Sequence, residues 1–195
     1  MNNEVLKAMK TRRSIRKYKP EQITDEQLDA ILEAGTYAAT GMGKQSPVIV
    51  VVQKPELIAK LSKMNAAVMG SSNDPFYGAP TVLIVLADPE IGTYHEDGSL
   101  VMGNLMLAAH AVGVDSCWIH RAKEEFESAE GKELLKDFRK IWSVSDTVFW
   151  DIVTVNTRKQ RKEKRTISSE YRKTEGDFKC ILTRNCSEHE RAVRK

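Results

Sequence analysis

The sequence has few cysteines and no long apolar run. Its 195 residues include three cysteines, Cys117, Cys180 and Cys186. An odd number of cysteines without metal-type spacing argues against a disulfide framework, and it fits a reducing, cytoplasmic location. No run approaches the ~18 apolar residues of a membrane span. The first residues also lack an apolar signal region, so no association with a membrane is expected.

Charge of either sign is unevenly distributed along the chain. Residues 1–138 hold 15 Lys and Arg against 19 Asp and Glu, a net charge of −4, whereas residues 139–195 hold 15 against 8, a net charge of +7. The basic excess includes the run Arg158–Arg165, and no periodic apolar pattern follows it. We therefore predict a folded domain over residues 1–138 and a divergent basic tail, irregular or disordered, over residues 139–195.

Apolar runs alternate with helical patterns within residues 1–138. Buried strands are predicted at Val48–Val52 and Thr81–Leu86, because these runs are apolar almost throughout. A third strand is predicted at Val114–Ile119. Helices are predicted around residues 5–9, from Thr24 to Gly35, from Pro55, from about Asp97 to Val112, and from Ala122 to Phe138. This alternation indicates a layered α/β or α+β domain.

The strongest chemical signal is the basic run Thr11–Tyr18. It contains three arginines, a lysine and a serine. Guanidinium groups bind phosphate oxygens through forked donors, and a serine hydroxyl adds another donor. The run therefore predicts an anion site. The alternative at this point is an ordinary solvated basic surface.

Five segments, taken together and in order, resemble the nitroreductase family of flavoproteins, which bind FMN and reduce small acceptors with NAD(P)H. The segments are residues 12–18, 44–47, 74–81, 97–105 and 116–121. Each is weak alone, but together they are specific, and the resemblance covers residues 1 to about 138, roughly 70% of the chain. The resemblance implies an α+β, nitroreductase-like fold with a central, mainly antiparallel sheet flanked by helices.

The resemblance also implies which residues contact the cofactor: Arg12, Arg13, Ser14, Arg16, Gly43, Gln45, Asn73, His120 and Arg121. The first four would hold the FMN phosphate and ribityl chain. The two loop residues at 43 and 45 would reach the flavin across a dimer interface, although the family's usual Asn-x-Gln-Pro-Trp is altered here. The asparagine would contact the isoalloxazine ring, and the last two residues would lie near its N5 edge. No catalytic side chain and no metal ligand is predicted.

The activity implied is that of a homodimeric, FMN-dependent oxidoreductase. NADH or NADPH would pass hydride to flavin N5, and a nitroaromatic, a quinone or a similar small acceptor would then be reduced in a ping-pong cycle. One alternative is a flavin-free or inactive family member, which reconstitution with FMN would identify. The other is a nucleic-acid-binding module formed by the basic tail, which would show salt-sensitive affinity. A change of reading frame would explain the basic tail without a function, so nucleic acid is not the expected partner.

Family-like segments stop at about Phe138, but a shifted reading frame restores two of them. The codons of Phe149–Val153, read across their boundaries, permit Leu-Gly-His-Cys, and those of Arg161–Ile167 permit Lys-Arg-Lys-Glu-Asn-Tyr. Both resemble C-terminal segments of the family. We hypothesise a change of frame between about Phe138 and Asp146, which resequencing would test. The translated chain would then lose a family strand and bind FMN more weakly, although the β-prone run Val148–Val155 could occupy that strand's place.

Overall fold

The elements of the fold come from a computed structural model that describes residues 3–140, 149–156 and 179–182. The helices are α1 (Glu4–Thr11), α2 (Asp25–Thr36), α3 (Pro55–Val68), α4 (Tyr94–Ala111), α5 (Ala122–Glu127) and α6 (Ala129–Lys140), with a short 3₁₀ turn at Gly41–Gly43. The strands are β1 (Val48–Val52), β2 (Thr81–Ala87), β3 (Asp115–Ile119), β4 (Phe149–Asn156) and β5 (Lys179–Leu182).

The strands form one five-stranded sheet in the order β3-β4-β2-β1-β5. Every neighbouring pair is antiparallel. The register places Val48 opposite Leu86, and it places Ile152 between Ile84 and Ile119. The antiparallel sheet flanked by helices confirms the α+β expectation.

Helices cover both faces of the sheet. Alternate residues of β1 point to opposite sides: Val50 packs in an apolar cluster with Leu61 of α3 and Phe126 of α5. Ile49 packs in a second cluster with α2 and α4, which includes Leu105. Because both faces are covered, every residue of β1 and β2 is buried. This confirms the two apolar runs as strands buried on both sides.

Two predicted helix starts are confirmed. Thr24 caps α2: its Oγ1 accepts a hydrogen bond from the Gln27 N–H at 3.2 Å, and the Gln27 side-chain oxygen accepts one from the Thr24 N–H at 3.2 Å. This reciprocal pair is the capping box expected from the spacing. Pro55 opens α3 at its first turn, where a missing N–H costs nothing.

The prediction that α2 ends at Gly35 is wrong, because the helix continues to Thr36. A Cβ atom at Gly35 would lie 2.7 Å from side-chain atoms of both Ile49 and Leu105. Glycine therefore serves packing at this position: it lets α2 approach β1 and α4 closely.

The single helix predicted from Ala122 to Phe138 is wrong, because the chain breaks at Ser128 into α5 and α6. Ser128 has extended backbone angles of φ −62° and ψ 157°. Its hydroxyl donates to the Glu125 carbonyl at 2.7 Å and accepts from the Gly131 N–H at 3.0 Å. A Cβ at Gly131 would overlap the backbone of Glu125 and Phe126, so glycine is needed for this close approach.

Two segments of the region predicted to be irregular form strands. β4 coincides with the β-prone run at 148–155, and it lies in the middle of the sheet, between β3 and β2. β5 extends the opposite edge beside β1. The tail residues at 141–148, 157–178 and 183–195, which include the run Arg158–Arg165, lie outside the described residues. The domain boundary at 138 and the change of frame stay predictions.

Candidate functional site

The part of the basic run that follows α1, residues 12–18, is called the basic segment here, and it lies against the beginning of β3. Ser14 and Ser116 form a parallel β-bridge, and the Ile15 N–H donates to the Ser116 carbonyl at 3.1 Å. Just before this segment, the Thr11 hydroxyl and His110 Nε2 are 2.8 Å apart, which ties the end of α1 to the end of α4. The backbone of the segment is therefore fixed at both a strand and a helix.

The arginines of this segment differ in what they contact. Arg12 is half-buried, and its Nη1 is buried without a hydrogen-bond partner among the described residues. Arg13 folds back, and its Nη1 donates to the carbonyls of Lys10 at 2.7 Å and Arg12 at 2.8 Å. Ser14 and Arg16 are exposed. A buried guanidinium donor without an acceptor is costly, so the Arg12 site fits an anionic ligand.

The loop that contains Gly43 and Gln45 is held at the other end of α4. The buried carboxylate of Asp97 accepts from the Gly41 N–H at 2.8 Å and from the Thr93 hydroxyl at 3.1 Å. Gln45 has a positive φ of 50°. Its N–H donates to the Thr40 hydroxyl at 2.9 Å, which fixes the loop internally.

One chain does not bring the basic segment and this loop together. The basic segment begins beside His110, whereas the loop is anchored at Asp97. These two residues are separated by about 20 Å along the α4 axis, at a rise of about 1.5 Å per residue. The basic segment and the loop are therefore anchored near opposite ends of α4 within one chain.

The turn formed by His120 and Arg121 follows β3 directly. His120 is exposed, and its backbone carbonyl accepts from Asn65 Nδ2 at 3.1 Å. Arg121 adopts φ 79° and ψ 10°, in the left-handed region, and its Nη2 lies 3.5 Å from Asn65 Oδ1. The turn lies about 13 Å along β3 from the Ser116 bridge, at about 3.3 Å per strand residue. The basic segment and this turn thus flank the same strand.

Asn73 is exposed on the loop that follows α3. Its neighbour Asp74 folds this loop: one carboxylate oxygen accepts from the Ser62 hydroxyl at 2.7 Å, and the other accepts from the Gly78 N–H at 2.6 Å. The structure thus presents Asn73 at the surface, and its contact with a ring stays a prediction.

A buried polar cluster lies beneath the His120–Arg121 turn, and sequence reasoning missed it. Asn65 and Glu125 are both 0% exposed, and Asn65 Nδ2 donates to Glu125 Oε2 at 3.0 Å. Burial raises the pKa of Glu125 to about 8, although the Asn65 hydrogen bond and the Arg121 charge both lower it. The available signal was Asn65 itself, an amide four residues after Leu61 on the apolar stripe of α3.

The described residues line concavities at two places in the fold. One, of about 470 Å³, lies between α3 and the α5–α6 break and is lined by Lys60, Lys63, Met64 and Glu125, among others. The other is an apolar groove of about 420 Å³ between α1, α2 and α4, with Val5, Tyr37 and Leu107 among its lining residues.

Neither a metal site nor a membrane span is found among the described residues. Within residues 3–140, 149–156 and 179–182, no group of three or more His, Cys, Asp or Glu side chains could hold a metal ion. No helix in the same ranges is long and apolar enough to cross a bilayer.

Comparison with known proteins places this arrangement in a family. The sequence model of the nitroreductase family matches residues 9–155. The chain belongs to the nitroreductase family. The match continues past Phe138, where the recognisable motifs end, and it includes nearly all of β4.

Relatives of known name and structure agree with this assignment. A protein of Archaeoglobus fulgidus named "Putative NADH dehydrogenase/NAD(P)H nitroreductase" is 30% identical over 166 residues, which cover 82% of this chain and 88% of the relative. The "FMN reductase [NAD(P)H]" of Bacillus subtilis is 34% identical over 87 residues, 44% of this chain and 32% of the relative. A nitroreductase with bound FMN from Bacteroides fragilis superposes with a TM-score of 0.73 at 26% identity, covering 89% of this chain and 99% of the other.

Proposed function

We propose that this member of the nitroreductase family is an FMN-dependent oxidoreductase that uses NADH or NADPH to reduce small acceptors such as nitroaromatics or quinones. The observation that carries this proposal is the buried Nη1 of Arg12, which has no partner among the described residues. The family match, the FMN in the Bacteroides fragilis structure and the names of the relatives support the same cofactor and reductant.

The residues of the basic segment fit the phosphate of FMN. Arg12 would donate its unpaired Nη1 to a phosphate oxygen, because a dianion satisfies buried guanidinium donors. Arg13 is held by two backbone carbonyls, so it contributes positive charge and stiffens the segment. Ser14 and Arg16 are exposed beside the bridge to β3, where they could add donors.

When bound, FMN would supply the hydride and electron transfer between nicotinamide and acceptor. The protein would bind the phosphate at one end of β3 and orient the rings towards the His120–Arg121 turn at the other end. No side chain of the candidate site needs to act as an acid or a nucleophile.

We further propose that two copies of the chain complete each site. The loop with Gly43 and Gln45 is anchored at Asp97, about 20 Å along α4 from the residue that holds the basic segment of its own chain, and a second copy would supply this loop to the cofactor bound by the first. Apolar side chains of the groove between α1, α2 and α4 are exposed: Val5 is 56% and Tyr37 51% exposed. Met9, on the same helix as Val5, is also 56% exposed. A second copy would cover them.

Titration with FMN and with riboflavin tests the proposed phosphate site. Arg12→Ala should weaken FMN binding by about 10- to 100-fold, because a charge-assisted hydrogen bond contributes about 1.5–3 kcal/mol. Lys17→Ala removes an exposed positive charge of the same segment and should change the affinity by less than about twofold. Riboflavin lacks the phosphate, so its affinity should be the same for the wild type and Arg12→Ala.

Failure of the wild-type protein to develop a bound-flavin absorption band with excess FMN would refute the proposal and favour a flavin-free family member. Equal losses of FMN and riboflavin affinity in Arg12→Ala would show that Arg12 does not bind the phosphate. NADH and NADPH oxidation by the FMN-loaded protein, with a nitroaromatic or a quinone as acceptor, tests the reaction.

Sedimentation velocity tests the proposed dimer. Met9→Glu should shift the protein from dimer to monomer, because it places a charge on the apolar surface of α1. Met69→Glu, a matched change at a methionine that is 48% exposed at the end of α3, should leave the dimer intact. A monomeric wild-type protein with one FMN bound per chain would contradict the shared site.

A further inference from the structure

The His120–Arg121 turn has a backbone conformation that needs support from its surroundings. Arg121 is a non-glycine residue at φ 79° and ψ 10°. A left-handed conformation costs a residue with a side chain on the order of 1–2 kcal/mol, and such strain persists where neighbouring groups determine the conformation.

Asn65 contacts both residues of the turn from the last turn of α3. Its Nδ2 donates to the His120 carbonyl at 3.1 Å, and its Oδ1 accepts from Arg121 Nη2 at 3.5 Å. The Asn65 side chain is fully buried. Both ends of one amide thus hold the backbone of one residue and the side chain of the next.

Glu125 fixes the orientation of this amide. Its Oε2 accepts the second Nδ2 hydrogen of Asn65 at 3.0 Å. If the amide were flipped, Asn65 Oδ1 would face two acceptors, the Glu125 oxygen and the His120 carbonyl. The Glu125 N–H also donates to the Arg121 carbonyl at 3.0 Å, so the same residue holds the turn from its C-terminal side.

The charge state of Glu125 suits this role. Burial raises its pKa to about 8, so the carboxyl group is neutral at lower pH. Oε1 is buried and has no hydrogen-bond partner among the described residues. An unpaired oxygen of a buried carboxylate would be far more costly than one of a neutral acid.

We propose that Asn65, oriented by Glu125, is a positioning residue that holds the His120–Arg121 turn in the conformation in which its backbone meets the flavin. This inference rests on the proposed function, because it needs FMN bound along β3. Neither residue touches the cofactor; they act through the turn. A buried polar cluster that supports a strained turn stabilises the fold less than apolar packing would, which is the pattern of a functional constraint.

The test compares Asn65→Ala with Gln22→Ala. The control also removes an amide that donates to a backbone carbonyl, that of Pro80 at 2.7 Å, but away from the turn. Three quantities are measured for each variant: hydrogen exchange of the peptide containing residues 120–121, the affinity for FMN, and the visible spectrum and reduction potential of the bound flavin. The exchange measurement needs no flavin.

Asn65→Ala should accelerate exchange at the turn by about tenfold or more, weaken FMN binding by about tenfold and shift both the spectrum and the potential of the bound flavin. Gln22→Ala should resemble the wild type in all three. Glu125→Ala should change them in the same direction as Asn65→Ala, and Glu125→Gln should do so by clearly less, because a glutamine amide reproduces the neutral carboxyl group.

Unchanged exchange and unchanged flavin properties in Asn65→Ala would overturn the inference. Faster exchange without any change in flavin affinity, spectrum or potential would show a purely structural cluster, and it would also overturn it. If the wild type binds no FMN, the proposed function fails first, and this inference fails with it; binding by the wild type with no effect of Asn65→Ala refutes the inference alone.

A variant that keeps Asn65 covers the case in which Asn65→Ala does not fold. Arg121→Ala leaves the Asn65 bonds to His120 and Glu125 in place and removes the guanidinium group, which contacts Asn65 and lowers the pKa of Glu125. It should change the exchange rate and the flavin potential in the same direction by a smaller amount. Wild-type values for both would count against the proposal.

Discussion

Asp97 and Glu125 are the two buried carboxylates among the residues whose side chains are described, and they are held in different ways. Both oxygens of Asp97 accept hydrogen bonds, from the Gly41 N–H and the Thr93 hydroxyl. Only one oxygen of Glu125 accepts a bond, from Asn65. Because both of its oxygens accept hydrogen bonds, Asp97 is suited to anchor a loop. The unpaired oxygen and raised pKa of Glu125 suit a neutral acid that orients the Asn65 amide.

The difference shows that burial alone does not define the role of a carboxylate. The loop anchored by Asp97 and the turn supported by Glu125 are both candidate cofactor contacts. Asp97 acts on a backbone N–H directly, whereas Glu125 acts through Asn65. Substitutions that remove charge but keep shape should therefore affect the two positions in opposite ways.

The largest effect is expected from Asp97→Ala. It removes two part-buried hydrogen bonds, from the Gly41 N–H and from the Thr93 hydroxyl, and a bond to a carboxylate is worth about 1.5–3 kcal/mol. We expect the free energy of unfolding to fall by about 3 kcal/mol in urea denaturation. Asp97→Asn should also destabilise, by less, because the amide nitrogen faces a donor. A stability equal to that of the wild type for both variants would contradict the anchoring role.

The second effect is a pH dependence that Glu125 confers. Its folded-state pKa of about 8 lies above the ordinary glutamate pKa of 4.5, so the folded state retains a proton that the unfolded state releases. Stability should therefore fall as pH rises between these values, by up to about 1.4 kcal/mol per pH unit. Between about pH 5.5 and about pH 7 the loss would be ~2 kcal/mol.

Glu125→Gln should remove this slope and be more stable than the wild type at about pH 7. The charged groups around Glu125 are Arg121, whose charge lowers the pKa, and Lys60, Lys63 and Glu130, which line the neighbouring cavity. Lys63→Ala serves as the control and should keep the slope. An unchanged slope in Glu125→Gln would assign the pH dependence to another group.

The smallest effect is expected from Ser128→Ala, at the break that separates α5 from α6. It removes the hydroxyl that accepts from the Gly131 N–H. Loss of such a cap costs about 1 kcal/mol. Thr24→Ala, the equivalent change at the start of α2, should cost a similar amount, and thermal unfolding of both variants compares them. A loss of several kcal/mol at Ser128 alone would mean that the break also holds Glu125 in place.

Local chemistry made much of the fold predictable from sequence. The Thr24–Gln27 pair predicted the start of α2, and the uninterrupted apolar runs predicted the buried strands β1 and β2. Each signal lies within a few residues of its consequence. The basic segment could likewise be found from its own composition, before its position beside β3 was known.

The remaining features depend on contacts between distant residues. Asn65 and Glu125 are far apart in sequence, and each resembles an ordinary polar residue of an amphipathic helix. The apolar residues Phe126 and Leu134 keep a helical spacing across the break at Ser128. Periodicity alone therefore predicts one continuous helix there. The basic segment and the loop with Gly43 and Gln45 are anchored at different ends of α4. Local sequence patterns do not show which residues of α4 hold them.

The position of β4 has a consequence for how the chain folds during synthesis. Residues 1–140 contain all six described helices, β1, β2 and β3, but the strand that joins β3 to β2 comes later. Until residue 156 leaves the ribosome, β3 and the edge of β2 that β4 will join expose unpaired backbone groups, and such edges favour aggregation. Pairings between distant segments also slow folding. We therefore expect the nascent chain to depend on chaperones most strongly between the emergence of β3 and the insertion of β4.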